Sequence, residues 1–157
     1  MKKNVRLLIC GTMFAFAGVI PSGAYSAETG KILFHCDLTP DEVARVSDST
    51  ASGRVGLSLD RTTQTLSWNL NYTGLSSPPA NIAIHGPAIR GAMAKVLKTI
   101  GEPGAKAPVT GSWVLDDGEL ELLLQRQMYI QIDTAGYSDG EVRCQIDRGA
   151  SETPRKP

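Results

Sequence analysis

The sequence predicts an all-β domain, an antiparallel β-sandwich with one short helix. Three observations carry this expectation. Apolar and polar residues alternate with period two in one segment after another, the mark of half-buried strands. The stretches between those segments are too short for a regular series of crossover helices, so the sheet should be mainly antiparallel. Finally, 157 residues, 41% hydrophobic and 20% charged, suit one domain that can bury a core.

The strands follow in order. Ile32, Phe34, Cys36 and Leu38 share one face of the first segment, and Val55, Leu57 and Leu59 share one face of the second. The third is the clearest: Leu66, Trp68, Leu70 and Tyr72 alternate with Thr65, Ser67, Asn69 and Asn71. Residues 60–64 fit a hairpin loop joining the second and third strands. Further strands are predicted over 80–86, 92–98, 110–115, 128–134 and 140–147, with an exposed loop over 99–109. In the last strand Val142, Cys144 and Ile146 point one way, and Glu141, Arg143 and Gln145 the other. One segment departs from period two. Asp116 and Glu119 stand three apart, as in a capping box, and Leu120, Leu123 and Leu124 then form an apolar helical face.

Residues 1–26 are expected to be a secretory signal rather than part of the fold. Lys2, Lys3 and Arg6 precede an uncharged apolar run from Leu7 to Ile20, which Pro21, Ser22, Gly23 and Ala24 then break. Cleavage after Ser26 places small Ala24 and Ser26 at the positions the peptidase reads. The alternative, a retained anchor, is disfavoured because the run falls short of the roughly 20 residues that span a bilayer. The domain then covers 27–148, with a polar tail at 149–157, and no stable membrane anchor remains after cleavage.

The whole chain balances 16 basic against 16 acidic residues. Removing Lys2, Lys3 and Arg6 with the signal leaves a mildly acidic domain, which has no electrostatic reason to hold nucleic acid. The two cysteines that remain, Cys36 and Cys144, are read as a disulfide of an oxidising compartment, periplasmic or secreted. The alternative is a reactive or metal-binding thiol pair, but no Cys-x-x-Cys supports it.

From Gly53 onward, a set of short motifs stands in order: Leu66-Ser-Trp68, then Ile84-His-Gly-Pro-Ala88, the leucine helix, Tyr129-Ile-Gln-Ile-Asp-Thr-Ala135, and Asp139-Gly-Glu-Val-Arg-Cys-Gln-Ile146. Their order and spacing resemble the CHRD domain, a module of chordin and of many bacterial exported proteins. The resemblance spans roughly 35–148 and implies an immunoglobulin-like β-sandwich. The family's usual pattern has a histidine at the position of Ala83 and another at that of Asp133; this chain retains His85. Cys144 likewise replaces a usual glycine, so the disulfide looks like a local gain.

His85, Asp133, Glu141 and Arg143 form the candidate polar cluster. His85 is read either as a metal ligand or the centre of a small polar site with the other three, or as a structural histidine hydrogen-bonded to a strand neighbour or to Asp133. A zinc or copper site would want three or four ligands with imidazole prominent, so no metal and no cofactor are assigned. Arg143 is expected either to form a solvated ion pair with Glu141 or to pair with Asp133 across strands. There is no Gly-x-Ser-x-Gly, no phosphate loop and no His-Glu-x-x-His, and no catalytic residue is assigned. The expected function is an exported, non-catalytic binding or scaffolding module of the cell envelope, with an envelope or extracellular partner. One alternative is a copper- or zinc-binding protein with superoxide-dismutase-like architecture. Another is a partner-binding or inhibitory subunit of a larger envelope complex.

Overall fold

The computed structural model describes residues 30–148, Val46 excepted. The expected signal at 1–26 and tail at 149–157 lie outside the described residues. In chain order the elements are β1 (Lys31–Leu38), a 3-10 turn (Pro40–Glu42), β2 (Ser52–Asp60), β3 (Thr65–Thr73), β4 (Pro79–His85) and β5 (Val96–Gly101). They continue with β6 (Val109–Val114), α1 (Asp117–Leu124), β7 (Tyr129–Thr134), β8 (Val142–Gln145) and β9 (Asp147–Arg148). Two sheets form, one ordered β6-β3-β2-β1-β9 and the other β5-β4-β7-β8. Every strand pairing is antiparallel. The expected all-β sandwich with one short helix is therefore the observed fold.

Local chemistry accounts for the connections. Asp60 closes the β2–β3 hairpin by accepting from the N–H groups of Thr62 and Thr63, an Asx turn. The capping box forms at the start of α1: Asp116 accepts from the Glu119 N–H at 2.8 Å, and Glu119 accepts from the Asp116 N–H at 2.9 Å. Leu123 is buried, and Leu120, Leu122 and Leu124 pack against the core.

Two strands depart from expectation. The strand expected over 92–98 starts at Val96 and runs to Gly101. Residues 86–95 instead form a loop, because Gly91 sits at φ +81°, outside the extended region. The end of β5 takes over the first part of the expected 99–109 loop. Gly101 pairs with Ile82, and a Cβ there would fall 2.9 Å from the Ile82 Cδ1, so this glycine permits close strand contact rather than a turn. The last strand, expected over 140–147, is broken at Ile146. Val142–Gln145 pairs with β7, and Asp147–Arg148 crosses to pair with β1 in the other sheet. Ile146 is buried at the crossing, its N–H bonded to the Met128 carbonyl.

The core lies between the sheets. Val55, Leu57, Leu59, Leu66, Trp68 and Leu70 face Ile82, Ile84, Ile130, Ile132 and Val142. Trp68 is 7% exposed and lies opposite Gly111 on β6. Cys36 on β1 and Cys144 on β8 are joined by a disulfide, with Cα atoms 5.5 Å apart. It links one sheet to the other.

Candidate functional site

The outer face of the four-stranded sheet ought to be solvated, since one face of each strand already lines the core. It is not. His85, Tyr129, Gln131, Arg143 and Gln145 all point outward by alternation, yet all are buried. The loop over 86–95 and the segment after β1 lie across them and make a second, polar layer.

Tyr129 is the centre of that layer. It pairs in register with His85, and their rings stack with centroids 4.8 Å apart and planes 10° apart. The Arg143 Cζ lies 3.7 Å from the Tyr129 ring centroid. The Tyr129 hydroxyl accepts from the Ala94 N–H at 3.0 Å. His85 Nδ1 lies 3.1 Å from the Ala94 carbonyl. A carbonyl can only accept, so Nδ1 carries the proton. Nε2 is buried without a hydrogen-bond partner.

Arg143 and Gln145 hold the covering segments by their carbonyls. Arg143 donates to the Glu42 and Ile89 carbonyls at 3.2 Å each, and to the Gln145 side-chain oxygen at 3.0 Å. Gln145 donates to the carbonyls of Ala88, Arg126 and Met128. Its own N–H donates to the Glu42 carboxylate at 2.8 Å, and Arg90 pairs with Glu42 at the rim. Burial pushes the Arg143 guanidinium below its ordinary pKa; a guanidinium still remains charged.

Of the four candidate residues, the structure brings His85 and Arg143 together, on Tyr129. Asp133 joins neither. It accepts from Asn81 at 3.1 Å and from Gln131 at 2.7 Å. The register explains why. Asn81 faces Asp133 and His85 faces Tyr129, so four residues of strand, about 13 Å, separate His85 from Asp133. Glu141 does not pair with Arg143, and neither is solvated. Glu141 accepts from the Ser49 hydroxyl at 2.6 Å, the Ser76 N–H and hydroxyl at 2.8 Å each, and the Thr134 hydroxyl at 2.7 Å. Burial works to raise the Glu141 pKa, but the bonds from Ser49, Thr134 and Ser76 outweigh it and leave it below the ordinary value.

The family model for the CHRD domain matches residues 34–146. The chain belongs to the CHRD domain family. No curated protein and no solved structure matches it. In this CHRD domain the motif residues His85, Tyr129, Glu141, Arg143 and Gln145 are the ones that pin the covering segments, and motif residue Ala88 is a point in the 86–95 loop that Gln145 holds. Tyr129, Gln145 and Glu42 were missing from the candidate cluster. Tyr129 and Gln145 share a face with Asp133 and Arg143 by period two; Glu42 leaves no such signal. Among the described residues of this CHRD domain, no group of three or more His, Cys, Asp or Glu side chains converges on a common point. The disulfide suits a compartment outside the reducing cytosol. Among the described residues no helix is long and apolar enough to cross a membrane.

The opposite face of the sandwich is different in kind. An open depression of about 670 Å³ lies on the five-stranded sheet, lined by Leu33, His35, Gly56, Ser58, Ser67 and Asn69 among others. A Cβ at Gly56 would meet nothing within 4 Å.

Proposed function

We propose that this protein is an exported, non-catalytic CHRD module that binds or scaffolds a partner in the cell envelope or outside the cell. One observation carries the reading: the motif side chains His85, Tyr129, Glu141, Arg143 and Gln145 are buried and each is bonded to main-chain groups or to neighbouring side chains. A group held in that way supports loops and is closed to a substrate. The Cys36–Cys144 link and the basic-then-apolar residues 1–26 support export.

Native mass spectrometry of the protein purified from its own host tests both halves. The expected mass lacks residues 1–26 and the hydrogens lost in forming the disulfide, and thiol labelling without reductant finds no reactive cysteine. A full-length mass with labelled thiols would remove the export reading. A stoichiometric copper or zinc ion in the same spectrum would favour the metal-binding alternative.

A further inference from the structure

A sandwich with two open sheets has four edges, and three of them here carry a device that blocks pairing. The described residues of β9, Asp147 and Arg148, are both charged. β8 is capped by Thr39, whose N–H and carbonyl bond Arg143 at 3.0 Å each, and by the Glu42 carboxylate on the Gln145 N–H. β5 carries exposed Lys98 at its centre, and its pairing with β4 is twice shifted in register.

The fourth edge, β6, has no such device within the strand itself, and Pro108 stands just before it. Its sequence Val109-Thr-Gly-Ser-Trp-Val114 contains no charge and no proline, and Val114 is 66% exposed. The direction of its backbone groups is set by one bond. The Leu115 N–H donates to the Gln64 carbonyl on the β3 side at 2.9 Å. Along an antiparallel strand, N–H and C=O pairs turn alternately to one neighbour and the other. Val109, Gly111 and Trp113 therefore bond β3, while Thr110, Ser112 and Val114 present N–H and C=O to the outside.

We propose that β6 pairs antiparallel with β6 of a second copy of this chain, about a two-fold axis through Ser112. The register follows from the three outward-facing residues. With Ser112 opposite Ser112 of the second copy, Thr110 falls opposite Val114 and Val114 opposite Thr110. Each outward N–H then meets an outward C=O, and the two five-stranded sheets become one continuous sheet. The exposed side chains match as well, because β-branched Thr110 and Val114 face each other across strands. The flanks select the occupant and its direction. Exposed Lys106 precedes β6, and exposed Asp116 and Asp117 follow it. An antiparallel copy brings the basic flank of one chain to the acidic flank of the other, whereas a parallel copy would set like charges together. The contact is the same patch on both copies, so the assembly closes at a dimer.

Sedimentation equilibrium over a dilution series tests this on the purified protein, with Ser112→Lys, Ser112→Pro and Ser67→Lys alongside. Ser112→Lys places like charges opposite each other at the axis, and Ser112→Pro removes an N–H that faces outward, which an edge strand tolerates. Ser67 is exposed on the same face but in interior strand β3, so its lysine variant controls for added charge. The expected result is a dimer that dissociates on dilution, survives Ser67→Lys and is lost in both Ser112 variants. Amide hydrogen exchange gives an independent readout. Thr110, Ser112 and Val114 should be protected in the dimer and exchange fast in Ser112→Lys, while Gly111 and Trp113 stay protected in both. The proposal is overturned by a wild-type chain that is monomeric throughout with those three amides fast. It is equally overturned by a dimer that persists in both Ser112 variants, by open-ended assembly, or by a monomer whose β6 instead takes up an unrelated extended peptide.

Discussion

The Arg143 Cζ lies over the ring of Tyr129, 3.7 Å from its centroid, with no carboxylate paired to the guanidinium among the described residues. A buried charge without a counter-ion is costly unless its donors are bonded. Here the Glu42 and Ile89 carbonyls and the Gln145 side chain accept from the two terminal nitrogens, Nε is buried without a partner, and the ring offers its negative face. Removing that face should therefore destabilise the fold more than removing the hydroxyl.

Tyr129→Phe keeps the ring and leaves the Ala94 N–H without its acceptor, at a cost of about 1–3 kcal/mol. Tyr129→Leu should cost about 2 kcal/mol more, the size of a desolvated cation–π contact. Urea unfolding of both variants measures the difference. Equal midpoints would mean that the guanidinium gains nothing from the ring.

Glu141 predicts a pH dependence. Its folded pKa lies below the ordinary value of 4.5, so the unfolded chain takes up its proton first as pH falls. The stabilisation is fully present above the unfolded pKa and is lost as pH falls through the folded one. Glu141→Gln should cost about 2–3 kcal/mol at neutral pH, since hydrogen bonds to a charged acceptor are lost. That deficit should shrink steadily below pH 4.5. A deficit that stays constant with pH would show that the carboxylate is not the stabilising form.

Trp68 and Gly111 form a matched pair across β3 and β6. Trp68→Ala should cost about 3–5 kcal/mol, as for other buried large aromatics. A Cβ at Gly111 would lie 2.5 Å from the Trp68 Cζ2, so Gly111→Ala should also lower the melting temperature. Gly56→Ala, with open space around it, should be neutral or stabilise by up to about 1 kcal/mol. Similar melting curves for the two glycine variants would contradict this packing.

Calorimetric titration with Cu²⁺ and Zn²⁺ should find nothing tighter than micromolar, and His85→Gln should not change the result. The reason is ligand supply. Ala83 has no donor atom, Asp133 lies two same-face positions from Tyr129, the partner of His85, and the other histidine, His35, is on the opposite sheet. A stoichiometric nanomolar site abolished by His85→Gln would overturn this.

Local pattern carried much of the fold. Period two in Leu66, Trp68 and Leu70 placed β3 and its buried face, and the Asp116–Glu119 spacing placed the start of α1. Cys36 and Cys144 each fell on the apolar face of their strands, and they pair. These features depend on residues a few positions apart, or on a short inventory of cysteines, and so can be read along the chain. Tertiary structure decided the rest. Ile146 continues the alternation of β8, yet the chain leaves one sheet for the other there, because β1 has an unpaired edge at Phe34 and His35 that only the assembled sandwich presents. Alternation likewise puts Tyr129, Arg143 and Gln145 on an outer face, where a strand pattern implies water. They are buried because Glu42, Ile89 and Ala94 arrive from distant loops to cover them. Periodicity records which face a side chain occupies; what lies over that face depends on contacts between segments far apart in the chain.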